Sequence, residues 1–325
     1  MTAPRDIGSP RIAVLVPCYN EAQTVANVIA GFRESLPASV IYVYDNNSSD
    51  ETKAVARQAG AVVRTETNQG KGHVVRRMFS DLEADAYVLV DGDHTYDASA
   101  ARAMVNLLLQ EKLDMVVARR VDNSEAAYRP RHRMGNAILT GTVGRLFGRH
   151  SNDVLSGYRV LSRRFVKSFP VFTRGFEIET EMTVHALTLQ MPMQEVDTCY
   201  RERPAGSTSK LRTYRDGIRI LSTIFHLFRE ERPLLFFSLI SGLFALVSLG
   251  LAYPVIMEFV ETGLVRRFPT AILSTGLAIL AALSLASAFI LDTVTHGRRS
   301  DALLHALAIE RWQGDSGEVT GISPR

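Results

Sequence analysis

The sequence predicts an α/β domain with a mostly parallel central sheet, followed by an amphipathic helix and a hairpin of two transmembrane helices. This prediction rests on two features of the chain. Residues 11–118 alternate short β-branched runs with helical patterns, the order typical of parallel α/β sheets. Residues 234–257 and 271–291 carry no charged side chain. Each of these runs is long enough to cross a hydrocarbon core of about 30 Å at about 1.5 Å per residue.

The strands and helices of the first region follow one another regularly. The β-branched runs predict strands at Ile12–Val16, Val40–Tyr44, Ala61–Arg64, Tyr87–Val90 and Met115–Ala118. Helical spacing predicts helices at Thr24–Leu36, Glu51–Ala59, His73–Leu82 and Ala100–Gln110. Ligands of parallel α/β sheets bind outside the carboxyl ends of the strands. The polar segments expected at that edge are Pro17–Glu21, Asp45–Asp50, Asp91–Asp93 and Arg119–Arg120.

The two uncharged runs predict a hairpin whose ends lie on the same side of the membrane, because only residues 258–270 join them. Arg229 and Arg232 precede the first run, and Arg298 and Arg299 follow the second. Basic flanks favour the cytoplasmic side. We therefore expect a multi-pass protein of the inner (cytoplasmic) membrane with both termini and the α/β domain in the cytoplasm.

The segment before the first run has the pattern of an amphipathic helix. Its apolar side chains recur at spacings of four and three residues, at Tyr214, Ile218, Leu221, Phe225 and Phe228. A core-facing helix has the same pattern, but the neighbouring arginines and the adjacent uncharged run favour a helix at the membrane surface. The expected domain plan is a cytosolic α/β domain over residues 1–211, this helix over 212–232, the hairpin over 233–292 and a cytosolic tail over 293–325.

The charge distribution points to an anionic ligand. The chain has 325 residues and a net charge of only +3, but residues 119–174 contain twelve Lys or Arg against three acidic residues. Such a block attracts phosphate groups, nucleic acid or a lipid surface. A nucleic-acid partner is disfavoured because the block lacks a series of aromatic side chains for stacking on bases. The two cysteines, Cys18 and Cys199, provide no disulfide framework and no metal quartet.

The acidic tripeptide Asp91-Gly92-Asp93 follows the apolar run Tyr87–Val90 directly. Two carboxylates at the end of a buried strand suit Mg²⁺ or Mn²⁺, which take oxygen ligands and often share them with substrate phosphates. An acidic turn that only ends a strand is the alternative. The glycine-rich segment Asn68–His73 lacks the spacing of a dinucleotide-binding loop or a P-loop. Its glycines and Lys71 would still let a phosphate approach the backbone closely.

Six short motifs occur in the order seen in family 2 glycosyltransferases of the GT-A fold. These motifs are Val16–Glu21, Asp45–Asp50, Asn68–Gly72, Asp91–Asp93, Ser156–Arg159 and Gly206–Leu211. From residue 11 to about residue 230, the chain resembles the polyprenyl-phosphate glycosyltransferases, a group that includes the dolichol-phosphate mannosyl synthases. The resemblance implies a GT-A catalytic domain that transfers a sugar from a nucleotide diphosphate to a lipid phosphate, with inversion at the anomeric carbon.

The resemblance also implies roles for individual residues. The residues implied for the nucleotide base are Pro17, Tyr19, Glu21, Val43 and Asp45, with Lys71 also beside the nucleotide. Asp91 and Asp93, with the backbone of Gly92, are implied to hold Mg²⁺ or Mn²⁺ against the diphosphate. The family often has Gln at the position of Thr95, so the third ligand stays open between Thr95, His94 and water.

Two further groups of residues are implied to contact phosphate. Arg119 and Arg133 match the arginines that hold the acceptor phosphate, and Arg203, Ser209 and Lys210 fall in a loop that folds over the diphosphate. A lipid phosphate is already ionised near neutrality, because its second pKa is about 6. The implied reaction therefore needs no strong general base.

The functional hypothesis is an inverting enzyme that makes a polyprenyl-phosphate-sugar for glycan or glycolipid assembly. A UDP-sugar is favoured as donor over GDP-mannose, because bacterial relatives of this kind use UDP-sugars. A catalytically idle membrane scaffold that binds nucleotide-sugars is one alternative. A processive polysaccharide synthase is another, although the Gln-x-x-Arg-Trp motif is absent: the single tryptophan is Trp312, and Ala308 stands where Gln would be. The implied partners are the donor, the lipid acceptor and the bilayer, with a homo-oligomer left open.

Overall fold

The structure is a computed structural model that describes residues 9–121, 141, 144, 153–171, 173, 175, 177–201, 222 and 224–309. The chain divides into two compact units. The first consists of Met1–Leu221 together with Ala302–Arg325, and the second is Ser222–Asp301.

The first unit is built on a seven-stranded sheet in the order β3-β2-β1-β4-β6-β5-β7. The strands are β1 Ile12–Cys18, β2 Val40–Asp45, β3 Val62–Thr65, β4 Ala86–Leu89, β5 Met115–Val121, β6 Arg159–Ser162 and β7 Met193–Cys199. All neighbours pair in parallel except β6, which runs antiparallel between β4 and β5. The prediction of a mostly parallel sheet is confirmed.

Helices cover both faces of this sheet. Successive side chains of a strand point to opposite faces, so one strand can pack against helices on both sides. The helices are α1 Val25–Ser35, α2 Thr52–Gln58, α3 Lys71–Asp81, α4 Ala101–Gln110, α5 Arg163–Ser168 and α6 Ile178–Thr188. Val14 and Val16 belong to an apolar cluster with α1, α2 and α4. Ala13 and Leu15 belong to a second cluster with α3, α5 and α6. The unit is therefore a three-layer α/β/α structure.

Two strands of the sheet escaped the sequence prediction, which placed no strand after residue 118. β6 has only four residues and begins with the charged residue Arg159. β7 reads Met-Gln-Glu-Val-Asp-Thr-Cys, and most of its side chains are partly exposed. Neither strand has the apolar, β-branched run that identifies a buried strand, so tertiary pairing determines both of them.

The second unit contains the first of the two long apolar helices that the sequence predicts and most of the second. They are α7, Pro233–Thr262, and α8, which begins at Phe268 and ends at Ala308. Both are long and apolar enough to cross a membrane, and about 11% of each apolar window is buried. The extensive exposed apolar surface distinguishes them from core helices of a soluble domain.

Small residues form the contact between α7 and α8. Buried positions at intervals of seven residues are Ser241, Ser248 and Val255 on α7 and Ser274, Ala281 and Ala288 on α8. The Ser241 hydroxyl donates to the Ala281 carbonyl at 2.8 Å, and the Ser248 hydroxyl donates to the Ser274 carbonyl at 2.7 Å. Small side chains and serine hydroxyls of this kind hold transmembrane helices together.

The helix boundaries differ from those expected. α7 continues to Thr262 and ends at Gly263, whose φ of 66° suits a C-terminal cap. The loop is therefore much shorter than the predicted residues 258–270. α8 continues to Ala308, so the first part of the predicted tail is helical.

The predicted amphipathic helix is described in part. Residues 224–231 are helical, and the rings of Phe225 and Phe228 pack against Phe236 with centroid distances of 5.2 and 5.6 Å. Tyr214, Ile218 and Leu221 lie outside the described residues.

Candidate functional site

The carboxyl ends of β1, β2 and β4 meet at one edge of the sheet. Cys18 at the end of β1 is paired with Asp45 at the end of β2, and Leu15 is paired with Leu89 of β4. This register brings four carboxylates to the same edge. We call Glu21, Asp45, Asp91 and Asp93 the acidic edge.

Hydrogen bonds between loops fix the acidic edge. The backbone N–H of Glu21 donates to the Thr52 hydroxyl at 2.9 Å, and that of Asn20 donates to the Ser48 hydroxyl at 2.9 Å. The Thr24 hydroxyl donates to the Gly92 carbonyl at 2.7 Å. The loops after β1, β2 and β4 are thus joined to one another by side chains.

The backbone is strained in each of these three loops. Asn20, Asn47 and His94 adopt φ values of 54°, 62° and 59°. Residues other than glycine rarely adopt this left-handed backbone conformation. Such strain persists where the surrounding structure enforces it, and it concentrates at functional sites.

Glycines allow close packing beneath and beside the Asp91–Asp93 segment. A Cβ atom on Gly92 would lie 2.7 Å from Sγ of Cys18, and a Cβ atom on Gly157 would collide with the Asp91 carboxylate. The N–H of Gly157 donates to the Tyr96 hydroxyl at 2.8 Å. These contacts leave the Asp91 carboxylate little freedom to move toward residue 157.

Asp93 is oriented by its own loop. Its side chain is buried, and Oδ1 accepts hydrogen bonds from the Thr95 N–H at 3.2 Å and the Thr95 hydroxyl at 2.6 Å. Thr95, one of the candidates for a third metal ligand, therefore acts here as a hydrogen-bond donor to Asp93.

Lys71 lies between two carboxylates. It is the first residue of α3, and its Nζ is 2.5 Å from Oδ1 of Asp91 and 2.5 Å from Oε1 of Glu179 on α6. Burial alone would lower the pKa of Lys71, but the two carboxylates outweigh burial and raise it above its usual value. Burial also raises the pKa of Glu179, against the opposing effect of Lys71. Lys71 is therefore a buried cation in this structure.

The turn before Lys71 is held by Asn46, a residue without an assigned role in the sequence analysis. The Asn46 side chain donates to the carbonyls of Glu66 and Asn68 at 2.9 and 2.7 Å. Its Oδ1 accepts from the N–H of Gly70 at 2.6 Å, where φ is 134°. The positive φ explains why glycine precedes the lysine.

The acidic edge concentrates negative charge around Cys18. Burial, followed by the charges of Glu21, Asp45, Asp91 and Asp93, raises the pKa of the Cys18 thiol well above its usual value. Lys53 forms an ion pair with Oδ2 of Asp45 at 3.3 Å. Among the described residues, the other oxygen of Asp45, Oδ1, is buried without a hydrogen-bond partner. Concentrated carboxylate oxygens of this kind fit a hard divalent cation.

The donor set for such a cation is small. In the described part of the chain, no group of three or more His, Cys, Asp or Glu side chains is arranged as a metal site. A cation at Asp91 and Asp93 would therefore share its coordination shell with substrate or water oxygens, as Mg²⁺ commonly does.

The other residues expected at the nucleotide base lie in different surroundings. Tyr19 is 40% exposed, so its ring is open to a ligand, and Pro17 is partly buried in β1. Val43 is fully buried in the core cluster below the edge. The side chain of Val43 thus does not reach the surface in this structure.

Arg119 and Arg120, near the carboxyl end of β5, are both paired with carboxylates. Arg119 donates to Asp197 of β7 at 2.5 and 2.6 Å, and both side chains are exposed. Arg120 donates to the buried Asp153 at 2.7 Å through two nitrogens and lies 5.5 Å above the Tyr200 ring. The expected phosphate ligand Arg119 is therefore in a surface ion pair here. The remaining expected ligands, Arg133, Arg203, Ser209 and Lys210, lie outside the described residues.

A cavity of about 550 Å³ opens beside Asp91. Its walls come from α1, from the segment after the Asp91–Asp93 tripeptide and from the start of α4; they include His94, Tyr96, Asp97 and Arg201. Ligand pockets have volumes of about 300–1,000 Å³, so this cavity has room for a sugar-sized ligand next to the acidic edge.

Sequence comparison matches this chain to a glycosyltransferase family and to relatives named as glycosyltransferases or hexose transferases. Residues 13–169 match the family model described as Glycosyl transferase family 2. The glycosyltransferase AglJ of Haloferax volcanii is 34% identical over 250 residues, which cover 77% of this chain and 82% of the relative. A dolichyl-phosphate hexose transferase of the same organism is 26% identical over 221 residues, covering 68% of this chain and 95% of the relative.

Solved structures share the fold. Glucosyl-3-phosphoglycerate synthase from Mycobacterium tuberculosis, in complex with Mn²⁺, UDP-glucose and phosphoglyceric acid, superposes with a TM-score of 0.54 at 20% identity. The superposition covers 70% of this chain and 85% of the synthase. At this level of identity the likeness concerns the fold.

Proposed function

As a member of glycosyl transferase family 2, the chain is a glycosyltransferase with a GT-A-like fold, and we propose that it transfers a sugar from a nucleotide-diphospho-sugar to a polyprenyl phosphate. The observation that carries this proposal is the pair Asp91 and Asp93 at the carboxyl end of β4, with Lys71 2.5 Å from Asp91. This arrangement combines oxygen ligands for a cation with a cationic side chain for a diphosphate. A UDP-sugar is the favoured donor, and GDP-mannose is the alternative.

The donor would bind across the acidic edge. Tyr19 offers an exposed ring for stacking on the base, and Glu21 and Asp45 offer carboxylates to its polar edge. Asp91 and Asp93 would hold Mg²⁺ or Mn²⁺, and the third ligand would be His94, Thr95 or a water molecule. A divalent cation supplies positive charge that stabilises a departing diphosphate. The Mn²⁺ and UDP-glucose bound by the mycobacterial synthase support this choice of ligands.

Cationic side chains would share the stabilisation of the diphosphate. Lys71 is already beside Asp91, and Arg203, Ser209 and Lys210 belong to the proposed covering loop. Positive groups that are fixed before the reaction lose little free energy to reorganisation, so they act strongly on developing charge.

The acceptor would be held by arginines. Arg119 and Arg133 are the proposed ligands of the lipid phosphate, and the ion pair of Arg119 with Asp197 is exposed. Exposed ion pairs contribute little to stability, so Arg119 can exchange Asp197 for a phosphate at small cost. A phosphate oxygen that is already ionised attacks the anomeric carbon without a strong general base, and inversion is the expected stereochemistry.

The lipid acceptor is supported by two further findings. One relative that covers most of the chain is a dolichyl-phosphate hexose transferase, and α7 and α8 are long and apolar enough to cross a membrane. We propose a multi-pass protein of the inner membrane with a cytosolic catalytic domain over residues 1–211 and the juxtamembrane helix over 212–232. The hairpin over 233–292 and a tail over 293–325 complete it, with both termini in the cytoplasm.

The full chain in membranes tests this proposal directly. Membranes are incubated with polyprenyl phosphate, Mn²⁺ and one labelled UDP- or GDP-sugar at a time, and chloroform-soluble label is measured. We expect a labelled lipid from one donor, and loss of that product in Asp93→Asn. No lipid product with any donor would favour an idle scaffold, whereas label in a long polymer would favour a processive synthase.

A further inference from the structure

Glu179 has a position that the proposed reaction does not explain. Its side chain is 5% exposed, lies on the second residue of α6, and contacts Lys71 at 2.5 Å. The Thr183 hydroxyl donates to the Glu179 carbonyl at 3.0 Å within the same helix. A buried charge costs free energy unless it is paired, and the partner in this case is the lysine that also contacts Asp91.

The ammonium of Lys71 competes with a divalent cation for Asp91. Both are positive, and Lys71 contacts Oδ1 of the carboxylate that the cation would use. Like charges close together in a site of low dielectric repel strongly. Binding of a cation at Asp91 would therefore favour a shift of the ammonium away from that carboxylate.

Glu179 provides the place to which the ammonium can shift. Its Oε1 is as close to Nζ of Lys71 as Oδ1 of Asp91 is. Its other oxygen, Oε2, is buried and has no hydrogen-bond partner among the described residues. The Glu179 carboxylate can thus accept a further hydrogen bond from the ammonium through Oε2 without losing an existing one.

We propose that Glu179 is a positioning residue that retains the Lys71 ammonium when Asp91 binds a divalent cation, and so strengthens cation binding at the acidic edge. Glu179 acts through Lys71 and does not touch the substrate. The inference rests on the proposed function in one respect, the location of the cation at Asp91 and Asp93.

Direct Mn²⁺ binding tests the inference without relying on catalysis. The full chain is purified in detergent, and free Mn²⁺ is followed by electron paramagnetic resonance during titration. We expect Glu179→Gln to weaken Mn²⁺ binding by at least about fivefold, a coupling of ordinary size between two sites. Lys71→Met should strengthen Mn²⁺ binding, because it removes the competing ammonium.

The double variant Lys71→Met/Glu179→Gln gives the decisive comparison. With the ammonium gone, Glu179→Gln should change Mn²⁺ binding by less than about twofold, since residues that act through one another are not additive. A full loss of affinity in the Lys71→Met background would overturn the proposal, because Glu179 would then act without Lys71.

Glu181 supplies a matched control on the same helix. It is also 5% exposed, but its Oε2 accepts from the N–H and hydroxyl of Thr173 at 3.0 and 2.6 Å. Glu181→Gln should leave Mn²⁺ binding unchanged. Equal weakening by Glu181→Gln and Glu179→Gln would overturn the proposal in favour of a general effect of negative charge.

Activity measurements separate positioning from a merely structural role. In Glu179→Gln, saturating Mn²⁺ should restore most of kcat, and the concentration of Mn²⁺ needed for half the maximal rate should rise. A variant that keeps wild-type Mn²⁺ affinity but loses kcat would overturn the inference.

The lipid product and the Mn²⁺ titration report on different claims. The predicted titration pattern without a lipid product would support this inference and contradict the proposed acceptor. Lipid product from a wild-type chain that binds no Mn²⁺ would overturn this inference and leave the transfer reaction intact.

Discussion

Two ion pairs of the α/β unit lie in contrasting surroundings. The Lys71 side chain is 8% exposed where it contacts Asp91, whereas the Arg119 side chain is 40% exposed where it contacts Asp197. Separating a buried pair leaves an uncompensated charge in a medium of low dielectric. An exposed pair exchanges its partners with water and ions readily. The acidic edge is therefore preorganised, while Arg119 can accept a ligand by giving up its weak contact with Asp197.

Substitution at the acidic edge should have the largest effect. Asp93→Asn removes a charge but keeps the shape and one oxygen that Thr95 can contact. We expect transfer to fall by about 10³-fold, the upper end of the range for losing one electrostatic stabiliser. The measurement is the rate of lipid product formation at saturating donor and Mn²⁺.

A carboxylate outside this edge provides the control for Asp93→Asn. Glu83 forms exposed ion pairs with Arg163 and Lys167, and Glu83→Gln should leave the rate unchanged. A rate above a tenth of wild type in Asp93→Asn would contradict the assignment of Asp93 to the cation.

The packing against Asp91 should be the next most sensitive feature. Gly157→Ala places a methyl group where the Asp91 carboxylate lies, so the carboxylate must move. A displacement of about 1 Å in a reacting site can reduce the rate about 10²-fold, and we expect a loss of this size at unchanged secondary structure. The measurements are the transfer rate and the circular dichroism spectrum.

Gly276 is a suitable comparison for Gly157. A Cβ atom on Gly276 would have no heavy atom within 4 Å, and alanine favours the helix in which it lies. Gly276→Ala should retain wild-type transfer. Wild-type transfer in Gly157→Ala as well would show that the Asp91 carboxylate tolerates displacement.

The sequence predicts the acidic edge better than it predicts the ion pair of Arg119 with Asp197, for a physical reason. Asp45 and Asp91–Asp93 follow apolar β-branched strands that pair in parallel, so the alternation of strands and helices places them at one edge. Arg119 belongs to another such strand, β5. Its partner Asp197, however, lies on β7, a strand whose partly polar sequence gives no comparable signal.

Contacts between segments that are distant in the chain could not be predicted from the sequence either. Glu179 and Lys71 are separated by 108 residues, and no local pattern links an acidic helix start to a glycine-rich turn. The role of Gly157 as a packing partner of Asp91 also depends on tertiary structure. The segment Ile178–Met182 contains two Glu residues, and its helix α6 has no distinct apolar face, so the sequence carries no signal that Glu179 is buried.

The exposed pair should give a smaller and more selective effect. Arg119→Gln removes the proposed phosphate ligand, and we expect the KM for polyprenyl phosphate to rise about tenfold, the factor that corresponds to one charge-assisted hydrogen bond of about 1.4 kcal/mol. The KM for the donor and the melting temperature should stay unchanged, because the pair with Asp197 is exposed.

Asp197→Asn separates ligand binding from the ion pair. This variant frees Arg119 without removing it, so the KM for polyprenyl phosphate should fall or stay the same. A rise equal to that of Arg119→Gln would show that the pair itself, and not a free guanidinium, supports acceptor binding.

The partly buried residue His185 extends the comparison to a group whose pKa is shifted by burial alone. It packs against the rings of Phe165 and Phe169, and burial lowers its pKa from 6.5 to about 4. The folded state therefore binds a proton less readily than the unfolded state, so the stabilising contribution is complete above pH 6.5 and is lost as the pH falls toward 4. At one pH unit below its usual pKa, the expected loss is about 1.4 kcal/mol. His185→Phe keeps the aromatic contacts and removes the titration, so its melting temperature relative to wild type should rise as the pH is lowered from 7.5 to 5. A difference that stays constant across this range would mean that His185 is protonated as easily in the folded chain as in the unfolded one.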